Sequence, residues 1–114
     1  MTREEFEKEA LKALRSLPKV FREKMKNVDV VVDESAAPSG KSGNILGLYQ
    51  GIPVGERSVF YGNTLPDKIT LFKRNIEAVA RNDEEVRIIV KDTIIHEVGH
   101  HFGLSESEIK KAGY

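Results

Sequence analysis

Residues 82–106 read Asn-Asp-Glu-Glu-Val-Arg-Ile-Ile-Val-Lys-Asp-Thr-Ile-Ile-His-Glu-Val-Gly-His-His-Phe-Gly-Leu-Ser-Glu, which predicts a long helix followed by a sharp turn. Asn82 and Asp83 are suited to cap the start of a helix. The acidic residues after them would lie at the positive end of its dipole. Gly103 suits the left-handed position just past the end. The predicted packing stripe repeats at helical spacing and comprises Val86, Ile89, Val90 and Ile94.

The C-terminal part of this helix carries a metal-ligand pattern. His96 and His100 lie one turn apart, so both rings project from one face, and two neutral imidazoles can meet one zinc ion. Glu97 lies about 100° around the helix from His96, where it can accept a proton from a water on the metal. The turn at Gly103 would bring Glu106 back toward the ion as the third ligand. Three protein ligands and one open position are what a catalytic zinc requires.

The remainder of the chain predicts an α+β fold. Thr2 and Glu5 form a capping-box pattern that opens a first helix, which Pro18 ends or kinks. Ser105 and Glu108 form a second such pattern, opening a short terminal helix. Apolar spacing in the first helix picks out Phe6, Ala10, Ala13, Leu14 and Leu17. The predicted strands cover residues 28–32, 45–50 and 69–72.

Composition restricts the type of protein. The chain has 114 residues, which suits one domain over 1–114, and 39% hydrophobic with 32% charged residues indicates a globular protein. Eighteen basic residues balance eighteen acidic ones, so no global charge attracts nucleic acid or an anionic membrane. Without cysteine, any zinc site must use histidine and carboxylate. No signal peptide or membrane-spanning run is recognisable, and we expect a cytoplasmic location.

The pattern His-Glu-x-x-His-x-x-Gly-x-x-Glu resembles that of zincin metallopeptidases. Further segments resemble the small bacterial minimal zincin family, namely residues 46–53, 56–58, 65–69 and 96–103. The resemblance extends over nearly the whole chain, from the first helix to the last, and implies a compact zincin fold with a zinc-motif helix. Members of that family often carry Asp where this chain has Glu106. Larger metzincins have a methionine turn after the motif, whereas no methionine follows Met25 here.

The leading hypothesis is a zinc metallopeptidase that hydrolyses peptide bonds in peptides or proteins. The substrate would lie along an exposed strand edge near residues 45–50, by β-augmentation. One alternative is a metal-dependent endoribonuclease, since an rRNA-processing family has a similar helix with Gly and His at the positions of Glu97 and Glu106. The other is a non-enzymatic protein whose metal only holds a helix end or a partner. The sequence leaves the natural substrate, the metal bound in the cell and the oligomeric state open.

Four further residues have both a chemical and a structural interpretation. His101 could orient Glu97 or stabilise an oxyanion, although a polar group at a helix end is the commoner role. Tyr49 and Tyr61 could donate to a tetrahedral intermediate, and packing is the simpler role for both. Arg57 could bind a substrate carboxylate or form a structural ion pair.

Overall fold

Five helices and a three-stranded sheet make up the part of the chain that the computed structural model describes, residues 1–24, 28–35, 45–51 and 67–111. In chain order these are α1 (Arg3–Arg15), α2 (Lys19–Lys24), β1 (Val28–Asp33), β2 (Gly47–Gln50), β3 (Asp67–Phe72), α3 (Lys73–Val79), α4 (Asp83–His101) and α5 (Glu106–Lys111). The predicted α+β class is confirmed. Within these ranges no helix combines the length and the apolar character needed to cross a bilayer.

The sheet places β3 at its centre, in the order β1-β3-β2. β1 runs parallel to β3, and β2 runs antiparallel to it. One face of the sheet carries the buried side chains of Val32, Ile69 and Leu71, with Tyr49 on the same face of β2. α1 and α4 pack together on the core, with α1 contacting β1 and α4 contacting β2. Within the described part of the chain, the histidine-bearing helix α4 therefore lies beside β2, an outer strand of this three-stranded sheet.

The N-terminal ends of α1 and α4 are both fixed by capping residues. At the start of α1, the Thr2 hydroxyl accepts a hydrogen bond from the backbone N–H of Glu5 at 3.1 Å, and the Glu5 carboxylate accepts one from the N–H of Thr2 at 2.9 Å. The predicted capping box is confirmed. At the start of α4, Asn82 Oδ1 accepts from the N–H of Glu85 at 2.9 Å. These bonds satisfy donors that the first helical turn leaves unpaired.

α4 is the central helix of the core, and the predicted packing stripe describes it well. Val86, Val90 and Ile94 are buried, while Ile89 is partly buried against the same cluster. The buried surface widens toward the C-terminal end, where Ile95, Val98 and Gly99 also turn inward. The stretch around the histidines is consequently held by the core on one side, which positions its polar side chains on the other.

α3 is an element that the sequence patterns do not predict. It follows β3 directly, since the last residue of that strand, Phe72, is the N-cap of the helix. The side chain of Phe72 makes no capping hydrogen bond. Of its seven residues only Ile76 is buried. A helix with neither a polar cap nor a repeated apolar spacing lacks the two sequence features by which helices are found.

Candidate metal centre

The end of α4 reverses the chain through a Schellman motif. Gly103 has a φ of 83°, a conformation that residues with a Cβ adopt at a steric cost. Its N–H donates to the carbonyl of His100 at 3.0 Å, and the N–H of Leu104 donates to the carbonyl of Gly99 at 2.8 Å. α5 begins two residues after Leu104, at Glu106. This first residue therefore returns to the histidine-bearing face of α4.

Three potential metal donors meet at this reversal. His96 Nδ1 lies 2.9 Å and 2.8 Å from the two carboxylate oxygens of Glu106, and His100 Nε2 lies 3.0 Å from Oε1 of the same carboxylate. The two imidazole rings stand nearly perpendicular, with centroids 6.1 Å apart. One ligand atom from each of the three residues lies within 4.8 Å of the others.

This donor set suits zinc. Ligands about 2.0–2.2 Å from a tetrahedral ion lie roughly 3.3–3.6 Å from one another. The separations between the Glu106 oxygens and the two ring nitrogens are slightly shorter, so small side-chain rotations would open the space for an ion. Two imidazoles and one carboxylate are also a donor combination that zinc accepts. Which residues hold the metal stays a prediction that the geometry favours.

The two carboxylates near the histidines have opposite electrostatic environments. The hydrogen bond from His96 holds the pKa of Glu106 below its usual value, so this exposed carboxylate stays charged. Partial burial raises the pKa of Glu97, and the nearby His100 and His96 oppose that shift. These opposite shifts in pKa suit two different roles, because a metal ligand should be ionised whereas a general base should bind a proton readily.

A cleft of about 280 Å³ opens between the start of β2 and α4, next to these groups. At this cleft β2 approaches the helix closely, since a Cβ added at Gly47 would lie only 2.5 Å from Thr93 Cγ2. The cleft therefore has β2 on one side and, on the other, the candidate base Glu97 and the candidate ligand His96. Its lining residues are Leu46, Gly47, Asp92, Thr93, His96 and Glu97.

Tyr49 and His101 form a structural cluster at the end of α4. Their rings stack with centroids 3.9 Å apart, and the Tyr49 hydroxyl donates to Asp67 Oδ2 at 2.8 Å. The Asp67 carboxylate is a partner that sequence patterns did not single out; it is nearly buried, with 9% of the residue exposed. The packing predicted for Tyr49 is thus present, together with a hydrogen bond that the sequence did not predict. Arg57 and Tyr61 lie outside the described residues.

Comparison with known families gives an independent result. A family profile described as zincin-like metallopeptidase matches residues 25–114, which is most of the chain. The chain belongs to the zincin-like metallopeptidases. The match begins after α2, so the first two helices lie outside it. No curated protein sequence matches the chain significantly.

Membership of the zincin-like metallopeptidases confirms the resemblance found in the sequence and agrees with the compact α+β architecture. The family indicates metal-dependent peptidase activity, and its members typically bind zinc. The family match favours neither the endoribonuclease nor the non-enzymatic alternative.

Proposed function

We propose that this protein hydrolyses peptide bonds in a zinc-dependent reaction, with His96, His100 and Glu106 as the metal ligands and Glu97 as the general base. The observation that carries the proposal is the convergence of the two ring nitrogens on the Glu106 carboxylate, at 2.8 Å and 3.0 Å, beside a half-buried glutamate. A single catalytic domain over residues 1–114 is part of the proposal.

When bound, zinc would act as a Lewis acid that polarises a carbonyl and lowers the pKa of water to about 7. Glu97 would accept the proton that this water loses as its oxygen attacks the carbonyl carbon. The same carboxyl would then deliver the proton to the leaving nitrogen when the C–N bond breaks. The raised pKa of Glu97 supports this role, because a base whose pKa is nearer to neutrality also serves better as the acid of the second step.

A peptide substrate would lie alongside β2. This strand contacts α4, and its first residue, Gly47, lines the same cleft as Glu97 and His96. An extended peptide placed there would run past the cleft that Glu97 and His96 line. Contacts with the backbone of β2 would be common to many peptide sequences, and the cleft would select among the side chains of those peptides.

The test of the base is Glu97→Gln. The amide has the same shape but cannot accept the proton, so zinc content should stay at one ion per chain while peptide hydrolysis falls by about 10²–10⁴-fold or more. Cleavage of fluorogenic peptides by the zinc-loaded protein would be measured beside elemental analysis. Full activity in Glu97→Gln would assign the base to another group. A zinc-loaded wild type that cleaves no peptide would favour the non-enzymatic alternative.

The test of the ligands uses two neighbouring carboxylates. Glu106 contacts both imidazoles, whereas Glu108 accepts hydrogen bonds from the N–H of Ser105 at 3.3 Å and from its hydroxyl at 3.1 Å. Glu106→Ala should therefore weaken zinc binding strongly, and so should His96→Ala. Glu108→Ala should cost only about 1 kcal/mol of capping. Zinc titrations of these variants that showed loss at Glu108 and retention at Glu106 would contradict the assignment.

A further inference from the structure

Among the residues of α5, Glu106–Lys111, one side chain is buried in the core. The helix has six residues, and among them only Ile109 is buried, with 2% of its surface exposed. Glu106 lies three residues before Ile109, so the two residues project from neighbouring positions of the same helix face. The contacts that hold Ile109 in place therefore also determine which positions the carboxylate of Glu106 can occupy.

Ile109 is seated against Gly99, a glycine in the interior of α4. A Cβ added at Gly99 would lie 2.8 Å from Ile109 Cδ1 and 3.0 Å from Ile109 Cγ1. Real carbon–carbon contacts are optimal at about 3.5–4.0 Å, so any side chain at this position would displace Ile109. Glycine is otherwise unfavourable inside a helix, and this close approach of α5 gives a reason for it.

Gly99 also lies within the histidine motif, three residues after His96 and directly before His100. The contact with Ile109 thus joins α5 to the segment of α4 that carries the two imidazoles. The Schellman turn fixes where α5 begins, but the direction in which the helix leaves that turn depends on its one buried residue.

We propose that the Gly99–Ile109 contact positions Glu106 for metal binding. Neither residue would touch the ion; both act through the placement of α5. The inference rests on the proposed ligand set, and it predicts that zinc affinity depends on two apolar positions outside that set. Changes in groups that only orient a ligand typically lower metal affinity about 10–100-fold, and we expect a loss of this size.

The decisive comparison is Ile109→Ala with Ile76→Ala. Ile76 is a fully buried isoleucine and the only buried residue of the seven-residue α3, so its truncation removes the same atoms from a similar helix. Both variants should be destabilised in urea denaturation. Zinc affinity, measured by competition with a chromophoric chelator on folded protein, should fall about 10–100-fold in Ile109→Ala and stay near the wild-type value in Ile76→Ala.

A second pair of variants tests the contact from the other side. Gly99→Ala should keep α4 helical but push α5 away, lowering zinc affinity. Adding Ile109→Val removes Cδ1, the atom nearest to the new methyl group, and should recover part of the affinity. The visible absorption of the cobalt-substituted protein gives a separate readout, because loss of the Glu106 ligand would alter the coordination geometry.

Zinc affinity near the wild-type value in Gly99→Ala or in folded Ile109→Ala would overturn the inference. So would an equal loss in Ile76→Ala, because the effect would then be general destabilisation. If Ile109→Ala does not fold, Gly99→Ala and its rescue by Ile109→Val decide the matter. A wild type that binds no zinc would instead refute the proposed ligand set itself and remove the basis of this inference.

Discussion

Gly47→Ala is expected to move β2 away from α4. The new Cβ would lie 2.5 Å from Thr93 Cγ2 and 3.2 Å from the backbone oxygen of Thr70. Carbon atoms pack best at about 3.5–4.0 Å, so the overlap with Thr93 is about 1 Å or more. Thr93 cannot easily rotate away, because a β-branched residue has few rotamers in a helix. The Thr70 oxygen belongs to the central strand, so β2 must move instead.

The size of the effect follows from two opposing contributions. Overpacking of this kind costs about 1–3 kcal/mol. Gly47 does not have a positive φ, so alanine is not strained there and should recover about 0.4–1 kcal/mol by restricting the unfolded chain. The middle values of these ranges, about 2 and about 0.7 kcal/mol, give a fall of about 1.3 kcal/mol in the free energy of unfolding, and the cleft beside Glu97 should change shape.

The assay is a double-mutant cycle in urea denaturation. Thr93→Ser removes the clashing methyl group, so Gly47→Ala should cost clearly less in that background. Gly51→Ala is a useful comparison, because its new Cβ would lie 3.0 Å from Cε1 of the exposed His101 ring and 3.8 Å from Asp67 Oδ1, and it should be better tolerated. A Gly47→Ala variant as stable as wild type, or a cost unchanged by Thr93→Ser, would refute the reasoning.

Three further outcomes are expected. Asn82→Ala should destabilise the protein by about 1 kcal/mol in thermal or urea unfolding, because α4 loses its N-cap; an unchanged stability would contradict that role. Tyr49→Phe should lose about 0.5–1.5 kcal/mol, since the hydroxyl donates a hydrogen bond to the nearly buried Asp67 side chain, and a zinc titration should show unaltered affinity if the pair is structural. The hydrogen bond from Lys73 lowers the pKa of Glu77 below 4.5, so this pair stabilises the fold above about pH 4.5 and the contribution is lost as pH falls through the folded pKa. Stability measured from pH 7 to pH 3 should show Glu77→Gln converging on wild type, and a constant difference would exclude the linkage.

The parts of the molecule that could be predicted from sequence depend on local interactions. The caps of α1, α4 and α5 use side chains three residues from the groups they bind, so the residue pattern alone reveals them. The candidate site is also local, since α4 and the first residue of α5, joined by the glycine turn, carry every donor in it. The left-handed conformation of Gly103 follows from the same short-range reasoning.

The features that could not be predicted depend on contacts between distant segments. The parallel pairing of β1 with β3 joins segments that are far apart in the chain, and no strand sequence specifies its neighbour. The bond from Tyr49 to Asp67 joins two strands in the same way. Gly99 was visible within the motif, and an isolated glycine in a helix often indicates close packing. Its partner Ile109 could be identified only from the structure.

The shortness of the segment that holds His96, His100 and Glu106 has a consequence for folding thermodynamics. Only ten positions separate the first donor from the last, and closing so short a loop costs little entropy even in an unfolded chain. Unfolded molecules would therefore retain some affinity for zinc, and any such affinity reduces the stabilisation that a ligand confers on the native state. The sheet and α1 contribute no donor to the proposed set, so losing a zinc ion held there would act on the turn between α4 and α5 and not directly on the sheet or α1.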